Sequence, residues 1–171
     1  MRSRTCSART GPRTVAGACT GGSAARTTRA RTRRTARTFA RASSAGRRPG
    51  LVAFDGDRAV GWCQLTPRDE LPWLDRGHLT RRVDDAPVWV LSCFFIRRGY
   101  RKRGVMSALI NAAVEAARRE HVTALEAYPV DAHAPSATRN LFTGVASAFA
   151  RAGFRAVALP APHRPTMRLI L

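Results

Sequence analysis

Apolar and polar positions alternate in short blocks over the larger, second part of the chain. Residues 51–54 form a short apolar run, residues 55–57 read Asp-Gly-Asp, which is typical of a hairpin turn, and residues 59–65 form a second run. Residues 88–96 are apolar on both faces, as expected of a central strand that is covered on both sides. The pattern therefore predicts a hairpin, a polar connection over residues 66–85, and a buried strand.

A helical repeat follows the buried strand after a basic loop. Its apolar residues recur every three or four positions along one helix face: Val105, Leu109, Ala112, Ala113, Ala116 and Ala117. Residues 122–128 predict another strand, residues 138–152 a second helix that ends at Gly153, and residues 154–159 and 166–171 two final strands. This order predicts an α/β fold in which helices pack on a mixed sheet.

Residues 1–38 differ from the rest because they consist almost entirely of Arg, Thr, Ala, Ser and Gly, without a helical or strand period. Residues 1–50 hold 13 arginines and no acidic residue, whereas residues 51–171 carry 17 basic and 11 acidic residues, so only +6 of the net charge of +19 belongs to the larger part. Three interpretations stay open: a disordered basic arm, an organellar transit peptide, and a segment that is not native coding sequence. We favour the third because the composition changes abruptly near Thr38; residues 39–45 then predict the end of a helix.

The sequence argues against several classes of protein and of site. No apolar run approaches the roughly 20 residues of a membrane-spanning helix, and the first 50 residues hold no apolar core of a secretory signal. The cysteines at positions 6, 19, 63 and 93 form no Cys-x-x-Cys pair and no zinc-like spacing with histidine, so we expect no metal site. These features predict a protein of the reducing cytoplasm that does not bind a membrane.

The basic loop before the first predicted helix has the arrangement of a phosphate site. A strand that leads through a glycine-containing loop into a helix exposes the free N–H groups of the first turn at the positive end of the helix dipole. Gly104 would let a ligand approach the backbone closely. Five cations surround that turn: Arg97, Arg98, Arg101, Lys102 and Arg103. The alternative is a solvated basic turn, and the loop lacks the Gly-x-x-x-x-Gly-Lys-Ser/Thr pattern of a nucleotide-binding P-loop.

Several sequence blocks together resemble one family. Residues 94–106 read Phe-Phe-Ile-Arg-Arg-Gly-Tyr-Arg-Lys-Arg-Gly-Val-Met. They resemble the fourth strand and pyrophosphate loop of the GNAT superfamily of N-acetyltransferases, whose loop is written Arg/Gln-x-x-Gly-x-Gly/Ala. Residues 126–131 resemble the next strand of that family, and residues 149–154, which end in Gly-Phe, resemble the end of its last helix. Residues 62–64 and 67–72 resemble a bacterial branch of the superfamily.

The resemblance covers residues 39–171 and implies a GNAT-like acyl-CoA N-acyltransferase fold of the α/β class, with a mixed, mostly antiparallel sheet flanked by helices. The family's first strand and opening helices are not recognisable in residues 1–38, so we expect them to be missing. The implied activity is transfer of an acetyl group from acetyl-CoA to a primary amine of a small molecule or peptide; a homodimer is left open. The implied coenzyme-binding residues are Phe94, Phe95, Ile96, Arg101, Lys102, Arg103, Gly104, Val105, Met106 and Ser107.

The resemblance also implies a backbone N–H in the segment 94–96 as the donor to the oxyanion, and a base for the amine, since a lysine-like ammonium has a pKa of about 10.4. Glu126 is the first candidate for the base because a carboxylate on an otherwise apolar strand needs a cleft or a partner. Asp131 and His133 are the alternatives, and the structural interpretation pairs Glu126 with an arginine. Tyr128 is the candidate acid for the leaving thiolate, or else a packing residue.

Two residues depart from the family pattern. Met106 stands where the family prefers Gly or Ala, and Phe149 stands where many members carry the tyrosine that protonates the thiolate. These departures keep open a second hypothesis, a GNAT-like module that binds acyl-CoA without turnover. A third hypothesis, nucleic-acid binding through the arginine-rich segment, is disfavoured because almost no aromatic residues are interleaved with its arginines.

Overall fold

The computed structural model describes residues 50–132 and 141–171. The predicted helix end at residues 39–45, the candidate base His133 and the first residues of the predicted second helix lie outside these described ranges. The described strands are β1 Leu51–Asp55, β2 Arg58–Cys63, β3 Thr66–Pro67, β4 Val88–Leu91, β5 Phe94–Ile96, β6 Ala124–Ala127, β7 Arg155–Ala161 and β8 Arg164–Ile170, and the helices are α1 Val105–Arg119 and α2 Ala146–Arg151. No helix in this part of the chain is long and apolar enough to cross a membrane.

The strands form two sheets. A three-stranded sheet has the order β1-β2-β5, and a five-stranded sheet has the order β3-β4-β6-β8-β7. Neighbouring strands are antiparallel except for β4 and β6, which run parallel. The predicted mixed, mostly antiparallel arrangement with packed helices is therefore confirmed, although it is divided between two sheets.

The predicted continuous strand at residues 88–96 is wrong, because the chain changes sheets at Ser92 and Cys93. Strand β4 pairs with β6 as far as Leu91 opposite Ala127. In that register Cys93 would face Pro129, which has no N–H to continue the ladder. The chain instead joins β2, whose own continuation crosses in the opposite direction into β3. As a result β5 and β6 are not paired, and we call this break in the strand pairing the opening.

Helix α1 packs its predicted apolar face into the main core. Val105, Leu109, Ala113 and Ala117 are all buried there, which confirms the helical period. The helix start lies close to β2, since a Cβ atom added at Gly61 would lie 2.9 Å from Cγ1 of Val105. Glycine at this one position therefore lets the first turn of α1 rest directly on the sheet.

The predicted second helix at residues 138–152 is shorter than expected. The described part of this segment begins with a 3₁₀ turn, Leu141–Thr143, and the α-helix α2 runs only over Ala146–Arg151. Gly144 interrupts the helix at a φ of +86°, and Val145 pairs with Val130 in a parallel bridge. The packing there requires glycine, because a Cβ atom at position 144 would lie 2.7 Å from the ring of the buried Phe149.

Gly61→Ala should destabilise the protein by roughly 1–3 kcal/mol, because the added methyl group overpacks the contact between β2 and Val105. Chemical denaturation gives the free energy of unfolding. The matched control is Gly99→Ala, since a Cβ atom at Gly99 meets nothing within 4 Å. Equal stability of the two variants would contradict the close approach of α1 to β2.

Candidate functional site

The opening leaves one edge of β5 without a strand partner among the described residues. Strand β5 is the edge of the three-stranded sheet. On its inner side Gln64 N–H donates to Cys93 C=O and Arg97 N–H donates to Val60 C=O, both at 2.9 Å. Backbone groups alternate along an antiparallel ladder, so the N–H groups of Phe94 and Ile96 point away from β2, toward the opening.

The chain passes from β5 into α1 through a short loop with two residues at positive φ. Arg98–Tyr100 form a 3₁₀ turn, Lys102 has a φ of 59°, and Gly104 precedes the helix with a φ of 80°. No side chain caps the start of α1, and the first intrahelical bond runs from Ala108 N–H to Gly104 C=O. The N–H groups at positions 105–107 therefore have no acceptor within the helix.

The five cations predicted at this loop lie together around the helix start. All five side chains are exposed, and among the described residues none forms an ion pair. The residues outside the described ranges contain no aspartate or glutamate that could pair with them. Arg103 stacks over the ring of Tyr100 at 5.7 Å, and Arg101 donates from Nε to Ile96 C=O at 3.2 Å. The loop therefore presents uncompensated positive charge beside free N–H groups, which is suited to a phosphate ligand.

Glu126 lies at the centre of a second, polar cluster on the opposite side of the five-stranded sheet from the helices. Its side chain is 1% exposed. Oε2 accepts hydrogen bonds from Arg168, at 2.7 Å from one terminal nitrogen and 3.2 Å from Nε. Oε1 accepts the hydroxyl proton of Tyr128 at 2.6 Å and lies 3.6 Å from a terminal nitrogen of Arg68. The contacts agree with the structural interpretation of Glu126, and its role as a base stays a prediction.

Arg68 is a member of this cluster that the sequence did not single out. Its side chain is 3% exposed, although it lies in a polar connection where arginine is ordinarily solvated. The guanidinium donates to the Tyr128 hydroxyl, to Asp75 Oδ1 at 2.5 Å and to Thr80 C=O at 2.7 Å. Nothing in the hydrophobic pattern distinguishes it from the neighbouring exposed arginines.

The cluster restricts how a proton could reach Glu126. Arginine side chains do not give up their protons in proteins, so Arg68 and Arg168 hold the charge of the carboxylate but cannot relay a proton from it. Tyr128 is the remaining titratable partner of Glu126. Burial, followed by the neighbouring Glu126 carboxylate, raises the pKa of the Tyr128 hydroxyl above its usual value, so this hydroxyl stays protonated at neutral pH. Among the described partners of Glu126, Tyr128 is therefore the one that could exchange a proton with it.

Two buried polar atoms near this cluster have no hydrogen-bond partner among the described residues, Thr66 Oγ1 and Arg68 Nε. Thr66 faces Val90 in the register, and Val90 faces Glu126, so all three side chains lie on one face of the sheet. Unsatisfied buried polar atoms are uncommon in folded proteins. These two atoms are therefore exceptions on a face whose other buried polar groups are paired.

A family model described as the acetyltransferase (GNAT) family matches residues 23–142. The chain belongs to the GNAT family. The match begins within residues 1–38, the segment that consists almost entirely of Arg, Thr, Ala, Ser and Gly, and it includes the loop before α1. No curated protein sequence matches the chain significantly.

Solved structures agree with the GNAT fold. A GNAT acetyltransferase from Listeria monocytogenes is 13% identical, with a TM-score of 0.51 over 72% of this chain and 64% of that protein. This chain thus spans less than two thirds of the length of the Listeria protein. An agmatine N-acetyltransferase is 14% identical, with a TM-score of 0.50 over 72% of this chain and 75% of that chain. At these identities the likeness concerns the fold alone.

The two departures from the GNAT pattern occupy different surroundings. Met106 is half-buried and packs against the core cluster. Phe149 is fully buried, with its ring edge-on to Phe94 at 5.9 Å and to Phe154 at 5.1 Å. Phe149 thus contributes to the core, and a hydroxyl placed there would need a partner within it.

The other predicted site residues are only partly brought together. Asp131 follows β6, donates its N–H to His163 C=O at 2.9 Å and holds its carboxylate 3.7 Å from Nδ1 of the same histidine. It lies beyond Tyr128, past the end of β6. Among the described residues, no group of three or more His, Cys, Asp or Glu side chains could hold a metal ion.

Arg168→Met should lower the free energy of unfolding by about 3–5 kcal/mol, because it leaves the buried Glu126 carboxylate without its closest cation. Urea denaturation measures the change. Arg151→Met, at an exposed position at the end of α2, is the control and should change stability by no more than about 0.5 kcal/mol. A similarly small effect for Arg168→Met would mean that the ion pair does not support the fold.

Proposed function

We propose that this protein transfers an acetyl group from acetyl-CoA to a primary amine of a small molecule or peptide in the cytoplasm. Membership of the GNAT family supports acyl transfer from acyl-CoA to an amine. The observation that carries the finer proposal is the start of α1, where free N–H groups, Gly104 and exposed cations lie next to the open backbone of β5. Both described cysteines, Cys63 and Cys93, are free thiols, which suits a reducing compartment.

The coenzyme would occupy two consecutive parts of the chain. Its pyrophosphate would accept hydrogen bonds from the N–H groups of Val105, Met106 and Ser107, with the charges of Arg101, Lys102 and Arg103 around it. Its pantetheine arm would run along the free edge of β5, Phe94–Ile96, where the N–H group of Ile96 points outward. The thioester would then lie near the place where β5 parts from β6.

The chemical step joins the amine nitrogen to the thioester carbonyl carbon. An outward N–H of Phe94 or Ile96 would donate to the oxyanion of the tetrahedral intermediate. We propose that the amine binds as the neutral free base, with its ammonium proton already released to solvent, and that on attack it gives one further proton to the Tyr128 oxygen as the Tyr128 hydroxyl proton moves to Glu126. When the carbon–sulfur bond breaks, the coenzyme thiolate would take a proton from Tyr128, and Glu126 would return its proton to Tyr128. The amine proton thus ends on the thiol, and the charges of both arginines stay unchanged.

Gly104→Asp should weaken the binding of CoA by about 100-fold or more, because it adds a negative charge beside the pyrophosphate and strains a backbone at positive φ. Calorimetry with CoA measures the affinity. Gly99→Asp adds the same charge to the same loop where a Cβ atom meets nothing, and should keep the affinity within a few-fold. An unchanged affinity in a folded Gly104→Asp variant would remove this loop from the coenzyme site.

Glu126→Gln should lower turnover by roughly 10²–10⁴-fold while leaving CoA affinity nearly unchanged, because the amide cannot accept the proton. Turnover is measured on a panel of polyamines, aminoglycosides, amino acids and peptides, at a temperature at which circular dichroism shows the variant folded. A variant that loses activity only on unfolding would assign Glu126 a purely structural role.

A second candidate function is an acyl-CoA-binding module without turnover. It is favoured by the residue at position 149, where many family members carry the tyrosine that protonates the thiolate. Here that residue is Phe149, which has no hydroxyl and is fully buried in the core. Tight CoA binding without acetylation of any amine in the panel would support this function over the first.

A further inference from the structure

The connection between β3 and β4, residues 68–87, has little regular structure of its own. It contains two 3₁₀ turns, Arg68–Glu70 and Pro72–Arg76, and no strand or α-helix. Its Leu71 and Leu74 are buried in a small apolar cluster with residues of β4 and β6. The connection therefore covers the face of the five-stranded sheet that carries Glu126 and Tyr128.

Arg168 ties the far end of this connection to the sheet. The guanidinium donates two hydrogen bonds to the Asp84 carboxylate, at 2.6 and 3.0 Å, and two to Glu126. Asp84 also accepts the N–H of Ala86 at 3.0 Å, which orders the turn before β4. Arg168 thus connects a half-exposed carboxylate of the connection to a fully buried carboxylate of β6.

Arg68 ties the near end and the middle of the connection. Its guanidinium contacts Tyr128 in the sheet, and Asp75 and the Thr80 carbonyl within the connection. Arg82 adds an exposed contact to Asp69 at 2.5 Å. Charge-assisted hydrogen bonds of this kind fix geometry more firmly than neutral ones.

The attachment lies beside the opening. In the register of β6 and β8, Glu126 faces Arg168. Tyr128 follows two residues later on the same face, just beyond the last pair of β4 and β6. The inner surface of the connection is thus held over the strand end where the thioester is proposed to lie.

We propose that Asp84 and Arg168 are positioning residues that hold residues 68–87 as a fixed wall of the acceptor site and thereby set the affinity for the amine. The inference rests on the proposed function. The hydrogen bonds from Arg168 lower the pKa of the Asp84 carboxyl, so the pair is charged at neutral pH and is lost only when the pH falls below the usual range of an aspartate, about 4. Residues that orient a substrate can change its binding without touching the reacting atoms.

The test is Asp84→Asn, which keeps the size of the side chain and an oxygen for the Ala86 N–H but removes the charge that Arg168 binds. The control is Asp85→Asn, an exposed neighbour with the same change of charge. Hydrogen exchange of the full chain should become at least about tenfold faster in residues 68–87 of Asp84→Asn and stay unchanged in α1 and in the control. The KM for the amine should rise several-fold, with kcat and CoA affinity unchanged.

Exchange in residues 68–87 that stays as slow as in the parent protein would overturn the proposal. Faster exchange that extends through α1 would also overturn it, because the pair would then support the whole fold. Faster local exchange with an unchanged KM would remove the connection from the acceptor site. A parent protein that binds no CoA would contradict the proposed function, whereas the exchange result would still decide whether Asp84 and Arg168 hold the connection.

Discussion

The parting of β5 from β6 is the constraint on which the rest of the candidate site depends. Strands β4 and β6 pair in parallel until Leu91 and Ala127, and Pro129 then offers no N–H with which to extend the ladder. The chain joins the other sheet, so that the outer edge of β5 has no strand partner among the described residues. A short loop then leads to the start of α1, which packs against β2 at Gly61. An open strand edge and an uncapped helix start thus follow each other within a few residues, and a ligand with an extended arm and a pyrophosphate can use both.

A buried carboxylate organises the opposite face of the five-stranded sheet. An unpaired charge at the position of Glu126 would cost several kcal/mol, and two arginines from distant parts of the chain compensate it. The same two arginines fix the connection between β3 and β4. Glu126 is therefore important both for the stability of the fold and for the proposed chemistry. The two roles can be tested separately through Asp84, because Asp84 contacts Arg168 but neither the Glu126 carboxylate nor the Tyr128 hydroxyl.

The local features of the coenzyme loop could be predicted from sequence, and the longer-range features could not. The period of α1 and the glycine before it are properties of neighbouring residues, so the helix and its start were predicted where they occur. The division of residues 88–96 depends on the strand opposite, and the requirement for glycine at position 144 depends on the ring of Phe149. Burial of Arg68 depends on Tyr128, a residue 60 positions away. The position of Glu126 on an apolar strand did indicate that its carboxylate needs a partner. It did not indicate which arginines would be the partners.

The central claim is that one coenzyme binds along β5 and at the start of α1. Hydrogen exchange of the full chain with and without saturating CoA tests it most directly, because the backbone N–H groups at both places are the proposed donors. The account predicts slower exchange in peptides that cover Phe94–Ile96 and the first turn of α1, with little change in β7 and β8. Binding of CoA that leaves both of these segments unprotected would contradict it.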